Sequence, residues 1–317
     1  MIKKKFLKAS RSLIKFILPF FSKLLLAMRV NKRVANFLNE KSFLANSYYN
    51  FSKIIENLNK NEKIIALDIG AQGGFNSDLF FPEKYNEFFQ PILVEPIKKE
   101  ADKLKEKFKF VIDKGLWSSE TKKKIFILGN RLGSSSMYEP DISVFQIHNI
   151  KKDDYKNFDV TKTSEVECTT LDNALSKIDI KKLDYLKIDT QGSEYEILKG
   201  MKNYFPLLIR VEVHLFSMYK NVPSWTNLLE LLNQKNYLAC DWKAIGSHKT
   251  RIPAEMDVIL IPNYKKEDGI KLIEENKEKF VSLMLIFGQI NLLKIIVKEL
   301  NLNVSFPINN FEDRTFF

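Results

Sequence analysis

The chain has 317 residues, 45% of them hydrophobic, which is enough for one large domain with appendages or for two modest domains. Its two cysteines, Cys168 and Cys240, are too few for a disulfide framework and lack metal-motif spacing, so they indicate a reducing compartment. The net charge is +11, and residues 1–33 contain ten basic residues and no acidic one. The rest of the chain is nearly neutral, which argues against a nucleic-acid partner.

The N-terminal segment, residues 1–33, predicts a basic amphipathic arm. Lys15, Pro19 and Lys23 interrupt its apolar stretch, which falls short of the about 20 apolar residues that span a bilayer. Basic residues follow one helical stripe and Phe, Leu and Ile the other, as in a helix lying on an anionic membrane. We therefore expect a cytoplasmic protein, peripheral at the inner membrane face. A targeting peptide, a helix packed on the body and a partner-binding helix remain alternatives.

The pattern that follows divides the chain into three further regions. Residues 34–62 have apolar positions every three or four residues and predict a helical lead-in, whereas residues 263–317 predict a C-terminal helical extension. Strands and helices alternate between them, in residues 63–262. The predicted strands are 63–69, 91–96, 108–117, 124–128, 165–171, 183–190, 206–214, 237–242 and 256–262, and the predicted helices are 97–107, 171–178, 193–203 and 224–235.

Several of these strands are continuous apolar runs, as expected of a parallel sheet that is covered on both faces. Their alternation with helices predicts a doubly wound, mostly parallel α/β domain. In such a domain the ligand lies beyond the carboxyl ends of the strands. The residues at those ends are therefore the candidates for a functional site.

The first strand ends in "LDIGAQGGF", where Asp68 precedes Gly70, Ala71 and Gly74. Glycines let the backbone approach a ligand, and the helix expected after this loop would present free N–H groups. A dinucleotide site would read G-x-G-x-x-G, without an acid before the first glycine. A carboxylate here would repel a pyrophosphate and attract an ammonium or sulfonium group, which favours the amino acid end of S-adenosylmethionine. A tight turn with a capping aspartate is the alternative.

The next two strand ends predict nucleoside contacts. Glu95 follows the second strand in "LVEP", and its carboxylate could accept hydrogen bonds from two ribose hydroxyls, in NAD as well as in S-adenosylmethionine. After the third strand, Gly115 and Leu116 could place their backbone against an adenine edge, with Asp113 at its amino group. A surface acid and a simple turn are the alternatives for these two segments.

Two later strand ends carry candidate catalytic groups. Asp189 ends the apolar strand in "LKIDTQGSEYEILKG", and Glu212 and His214 alternate with valines in "RVEVH", so that both point to one side of a strand. A carboxylate beside an imidazole could serve as orienter and general base. We expect no metal at this site. A hard divalent ion held by Asp189, Glu212 and His214 remains an alternative for the acceptor.

Five segments together, "LDIGAQGGF", "LVEP", "TTLDNAL", "LDYLKIDTQGSEYEILKGM" and "LIRVEVH", resemble the FkbM-type methyltransferases. The resemblance covers about residues 63–262, and "KIDTQGSEYEILKG" is its most specific part. It implies a class I, Rossmann-like fold whose seven-stranded sheet has an antiparallel last strand, here "MDVILIP". By position, Asp68, Gly70 and Gly74 match the cofactor loop, Glu95 the ribose-binding acid, and Asp189 the acid beside the reacting methyl.

The resemblance also implies methyl transfer from S-adenosylmethionine, most often to a hydroxyl, with sugars and secondary metabolites among the acceptors. The basic arm suggests an acceptor at a membrane, such as a glycolipid. One departure is the segment between Asp68 and Glu95, where "FFPEKYNEFF" suggests a shortened helix. An NAD-linked oxidoreductase and a non-catalytic, membrane-associated cofactor-binding module are the alternative functions.

Overall fold

The computed structural model describes residues 49–60, 62–245 and 252–311. The predicted arm, residues 1–33, and most of the predicted lead-in lie outside the described residues. Two compact units make up the chain, and the larger contains residues 63–75 and 89–280. The smaller contains the described residues before 63, residues 76–88 and the described residues from 281 onward.

The described residues form eight α-helices and ten strands. In order, they are α1 (Ser52–Asn59), β1 (Ile64–Ile69), β2 (Phe89–Val94), α2 (Lys98–Lys105), β3 (Phe110–Ile112), β4 (Gly115–Leu116), β5 (Thr121–Leu128), β6 (Val160–Thr169), α3 (Leu171–Lys177), β7 (Tyr185–Ile188), α4 (Glu194–Lys199), β8 (Leu208–His214), α5 (Trp225–Gln234), β9 (Tyr237–Ile245), β10 (Glu255–Pro262), α6 (Glu267–Glu275), α7 (Lys277–Ile286) and α8 (Ile290–Glu299). Short 3₁₀-helices occupy Glu83–Phe88, Leu132–Ser134, Ile142–Val144, Lys152–Phe158 and Ile308–Asn310.

A seven-stranded sheet with the order β3-β2-β1-β7-β8-β10-β9 forms the centre of the larger unit. Only β10 runs against the other strands. The predicted Rossmann-like, doubly wound sheet with an antiparallel last strand is therefore confirmed. Its central strands are mostly apolar and buried, as in a parallel sheet covered on both faces, and Leu67, Leu186 and Ile209 are fully buried in its core.

A second sheet of three strands, β4-β6-β5, lies in the same unit. The predicted strand 108–117 is wrong as a single element, because Asp113 and Lys114 separate β3 in the central sheet from β4 in the second one. The residues of β5 alternate between more and less buried, as in a strand with one face toward solvent. The small sheet is thus an addition beside the parallel core.

The segment after the glycine loop differs from the prediction. In residues 70–88, all of which the structure describes, no α-helix follows β1, and the first helical element is the 3₁₀-helix Glu83–Phe88. The Asn76 side chain donates to the Phe81 carbonyl at 3.0 Å and to Asn86 Oδ1 at 2.9 Å, and these bonds hold a turn. Pro82 disfavours helical backbone at the residue before it.

The smaller unit is held together by aromatic and amide contacts. The Phe51 amide donates to the Tyr85 hydroxyl at 3.1 Å, and the Phe287 ring lies 5.3 Å from the Phe81 ring. Asn59 donates to the buried Ser282 hydroxyl at 3.2 Å. None of the helices within the described ranges combines the length and the apolar character that crossing a bilayer requires.

Gly70 allows the loop after β1 to pass against the loop after β7. Its φ is +77°, and an added Cβ would lie 1.8 Å from the Asp189 carbonyl oxygen. Only glycine meets both conditions without displacing backbone. The glycine therefore serves backbone packing at the carboxyl edge of the sheet, whether or not a ligand lies there.

We expect Gly70→Ala to lower the free energy of unfolding by at least about 2 kcal/mol, because the substitution combines left-handed backbone with a backbone clash. Urea denaturation measures the change. Gly133→Ala is the matched control, since its Cβ would meet only the end of the Gln72 side chain and its φ is not left-handed. Equal stability of the two variants would contradict the role of Gly70.

Candidate active site

The candidate site lies where the strand order of the central sheet reverses. From β1 the chain builds β2 and β3 on one side of the sheet, and β7 and β8 later pair on the other side. The carboxyl ends of these parallel strands share one edge, and ligands of open α/β sheets bind at such a reversal. Asp68, Glu95, Asp189 and Glu212, predicted separately from the sequence, all lie at or near this edge.

Lys187, on β7, connects the end of β1 with the end of β7. Its ammonium Nζ lies 3.1 Å from Asp68 Oδ1 and 3.6 Å from Asp189 Oδ2, and it donates to the Gly70 carbonyl at 3.0 Å. Burial lowers the pKa of Lys187, but the charges of Asp68 and Asp189 outweigh burial and hold that pKa above its ordinary value. The lysine is therefore charged, and it holds the two acids and the glycine loop together.

Gln191 links Asp189 to Glu212. Its Nε2 donates to Asp189 Oδ1 at 3.0 Å and to Glu212 Oε2 at 2.7 Å, while its Oε1 accepts from the Tyr219 hydroxyl at 2.8 Å. Gln191 has φ +60°, a left-handed backbone that is uncommon for a residue other than glycine. The amide is thus fixed at three points between two carboxyl groups.

The two carboxyl groups have opposite pKa shifts. Burial acts to raise the pKa of Asp189, but the Lys187 charge and the hydrogen bonds that Asp189 receives hold it well below the ordinary value. Burial raises the pKa of Glu212, and the negative charge of Asp189 raises it further. Asp189 is therefore the ionised carboxyl of the pair, whereas Glu212 favours its protonated form. Such divergent pairs are typical of acid–base chemistry.

His214, the last residue of β8, lies between two glutamates. Its Nε2 is 3.7 Å from Glu212 Oε2 and 3.9 Å from Glu255 Oε2, beyond hydrogen-bond distance in both cases. Glu255 begins β10 and is the register partner of His214 in the antiparallel pair. The structure thus brings together the predicted Glu212 and His214, and it adds Glu255. Asp189, the third residue of the alternative ion site, instead contacts Lys187 and Gln191.

Arg210 and Asp257 form a buried ion pair on the same two strands. Arg210 Nε donates to Asp257 Oδ1 and its Nη2 donates to Asp257 Oδ2, both at 2.9 Å. Asp257 is the register partner of Glu212, so this pair lies beside the candidate catalytic residues. A bidentate arrangement satisfies both charges without water, which allows the polar groups to occupy the sheet interior.

Glu95 lies at the end of β2 and is 5% exposed. Its Oε1 accepts from the Ile97 amide at 2.8 Å, and no residue in the described part of the chain donates to Oε2. Burial raises the pKa of Glu95 to about 7, and the more distant Lys187 charge lowers it only in part. A carboxylate oxygen that accepts no bond from a described residue suits a ligand hydroxyl, as the prediction for ribose requires.

The glycine loop itself packs on apolar side chains. Ala71 is buried with Leu93 and Leu104, and Phe108 packs against this cluster. Gly74 has φ +103°, and a Cβ there would lie 3.1 Å from the Phe108 ring. Ala71 and Gly74 therefore shape the loop, and their contact with a cofactor stays a prediction.

The predicted adenine contacts lie just after β3 and in β4, which belongs to the second sheet. Asp113 is half exposed and forms an ion pair with Lys105 at 2.6 Å, and this contact lowers its pKa. Gly115 and Leu116 are buried in β4, where their register partners in β6 are Cys168 and Thr169. Their role at an adenine ring stays a prediction.

Sequence reasoning passed over Lys187, Gln191, Arg210, Glu255 and Asp257. Three of these are charged residues inside otherwise apolar strands, in "YLKI", "LIRVEVH" and "MDVILIP", and a buried charge requires a partner. That signal was available. No sequence signal pairs Glu255 with His214, since only the β8–β10 register does so.

The sheet order, the single reversed strand and the strand-end acids define a Rossmann-like methyltransferase. The family model described as the methyltransferase FkbM domain matches residues 68–239, more than half of the chain. The chain therefore belongs to the FkbM methyltransferase family, and the resemblance is confirmed. Comparison with curated proteins finds no match.

The raised pKa of Glu95 predicts a pH-dependent stability. Because that pKa rises from 4.5 to about 7 on folding, the unfolded chain binds fewer protons in this interval, and stability falls as pH rises through it. Between about pH 5 and about pH 8, the wild type should lose about 2 kcal/mol relative to Glu95→Gln. Urea denaturation of both proteins measures this difference. Parallel stability curves would contradict the shift.

Proposed function

We propose that this methyltransferase transfers a methyl group from S-adenosylmethionine to a hydroxyl of a sugar, a glycolipid or a related metabolite. The observation that carries the proposal is the set of strand-end acids around Lys187 at the sheet reversal. Asp68 and Asp189 together outnumber this one cation, and such a site suits a ligand that brings positive charge. An NAD pyrophosphate would meet repulsion there instead.

The residues present fit such a cofactor. The Asp68 and Asp189 carboxylates supply negative charge for an ammonium and a sulfonium group, and Glu95 Oε2 is available to a ribose hydroxyl. Gly70 keeps the loop after β1 close to Asp189, so that these groups face one ligand. S-adenosylmethionine, when bound, would supply an electrophilic methyl group.

The residues on β8 are proposed to act on the acceptor. An alcohol has a pKa far above 7, so its attack on a methyl carbon requires removal of the hydroxyl proton, which contributes about 10²–10⁴ in rate. His214 Nε2 is the proposed general base, and the Glu212 and Glu255 carboxyls beside it would stabilise the imidazolium that forms. Asp189 would stay ionised near the sulfonium.

Calorimetric titration tests the cofactor. We expect S-adenosylmethionine and S-adenosylhomocysteine to bind the purified protein and NAD not to bind. Asp68→Asn should weaken binding at least about tenfold, since it removes one charge while preserving side-chain shape. Asp154→Asn, an exposed acid away from the strand ends, is the matched control and should bind as the wild type does.

Binding of NAD alone, or of neither ligand, would refute the proposal. Equal affinities of Asp68→Asn and Asp154→Asn would remove Asp68 from the site. Cofactor binding without formation of S-adenosylhomocysteine, assayed with a panel of sugars and glycolipids, would instead favour the non-catalytic binding module.

The composition of residues 1–33 supports a further part of the proposal, that the protein acts at an anionic membrane surface. Ten basic residues without an acid would bind anionic headgroups, at about 1 kcal/mol for each residue near the surface. An acceptor anchored in lipid, such as a glycolipid, would then lie within reach. A cytoplasmic protein held at the inner membrane face fits this composition.

Deletion of residues 1–33 should abolish sedimentation with phosphatidylserine vesicles and leave S-adenosylmethionine affinity unchanged, because the arm precedes every candidate site residue. Vesicles of phosphatidylcholine alone are the control and should bind the full chain weakly. Unchanged sedimentation after the deletion would refute the membrane proposal.

A further inference from the structure

His214 is a buried imidazole whose nitrogens have no hydrogen-bond partner. Its side chain is 4% exposed, and both Nδ1 and Nε2 are fully buried without a donor or acceptor among the residues that the structure describes. Buried polar atoms are almost always paired, because desolvation without a hydrogen bond costs about 1–3 kcal/mol. An imidazole in this condition indicates a group that binds it.

The strand register places the carboxyl groups of Glu212 and Glu255 beside the His214 imidazole. Glu212 and His214 are two residues apart on β8 and therefore lie on one face, and Glu255 of β10 is directly opposite His214. One carboxylate oxygen from each glutamate and one His214 nitrogen lie within 4.8 Å of one another. Three donors therefore converge from two rigid, hydrogen-bonded strands.

The distances fit a common ion. Two ligands that are each about 2.1 Å from one metal ion lie at most about 4.2 Å apart. The separations from His214 Nε2 are 3.7 Å to Glu212 and 3.9 Å to Glu255, both longer than a hydrogen bond and shorter than this limit. Small side-chain rotations would bring all three atoms to bonding distance.

The charges around the cluster favour a cation. Lys187 lies between Asp68 and Asp189, and Arg210 binds Asp257 through two bonds. No lysine or arginine in the described ranges forms a salt bridge with Glu212 or Glu255. The basic group next to both carboxyls is the His214 imidazole. A bound cation would therefore not have to displace any described lysine or arginine from these two carboxyl groups.

We propose that Glu212, His214 and Glu255 form a binding site for a divalent transition cation of the Mn²⁺ or Zn²⁺ class. One imidazole and two carboxylates are a mixed donor set that such ions accept, whereas Ca²⁺ and Mg²⁺ prefer oxygen ligands alone. Three protein ligands leave further positions open, as in catalytic metal sites.

The role of the ion in activating an acceptor rests on the proposed function, whereas the binding of the ion to this site does not. An acceptor hydroxyl coordinated at an open position would have a lowered pKa. In the metal-bound protein His214 would act as a ligand in place of its role as general base, and the proton of the coordinated hydroxyl would pass to solvent water. The alternative ion site of Asp189, Glu212 and His214 is thereby revised, with Glu255 in place of Asp189.

Metal titration of the full-length protein tests the site. We expect one Mn²⁺ or Zn²⁺ per chain by calorimetry, no comparable response to Mg²⁺ or Ca²⁺, and visible absorption bands from Co²⁺. Glu255→Gln should weaken binding at least about tenfold. Glu165→Gln, on the exposed part of β6, is the matched control and should bind as the wild type does.

S-adenosylhomocysteine affinity, measured on the same samples, shows that Glu255→Gln is folded and separates the two proposals. Loss of metal binding with retained S-adenosylhomocysteine binding supports the ion site. A wild type that binds S-adenosylhomocysteine but no transition ion would overturn the ion site and leave the methyltransferase proposal standing. Equal metal affinity of Glu255→Gln and Glu165→Gln would also overturn it, as an adventitious ion only.

Discussion

The buried ammonium of Lys187 is the interaction on which the rest of the site depends. An uncompensated charge inside a sheet would cost several kcal/mol, so this lysine requires acids around it. Asp68 from β1 and Asp189 from β7 supply them, and the Gly70 carbonyl accepts its third contact. One side chain thereby fixes the relative positions of the two loops that form the strand-order reversal.

From that centre a row of polar groups extends across the interior of the sheet. Gln191 connects Asp189 to Glu212 by hydrogen bonds. The antiparallel pairing of β8 with β10 then places Glu255 opposite His214. Apolar residues occupy the alternate positions of β8 and face the core, so the row costs little packing. A rigid sheet edge can hold ligands more precisely than loops can.

The charge pairing of these polar groups differs between the Lys187 end and the His214 end of the row. Near Lys187 the Asp68 and Asp189 carboxylates are paired with a cation. Near His214 the carboxyl groups lack a strong cation and the imidazole lacks a hydrogen bond. Cofactor binding and acceptor activation are thus proposed for opposite ends of one continuous set of side chains. FkbM family membership establishes the methyltransferase class.

The sequence by itself determined the parallel strands, the strand-end acids and the family, because apolar periodicity and motif order are local properties of the chain. The same reasoning misjudged residues 108–117 and the helix after Gly74, where Asp113 and Pro82 interrupt the pattern. Only the tertiary structure showed that the Asp189 backbone passes so close to Gly70 that no Cβ fits there, and that Glu255 faces His214. Both depend on strand register, which joins residues far apart in the chain and leaves no trace in local composition.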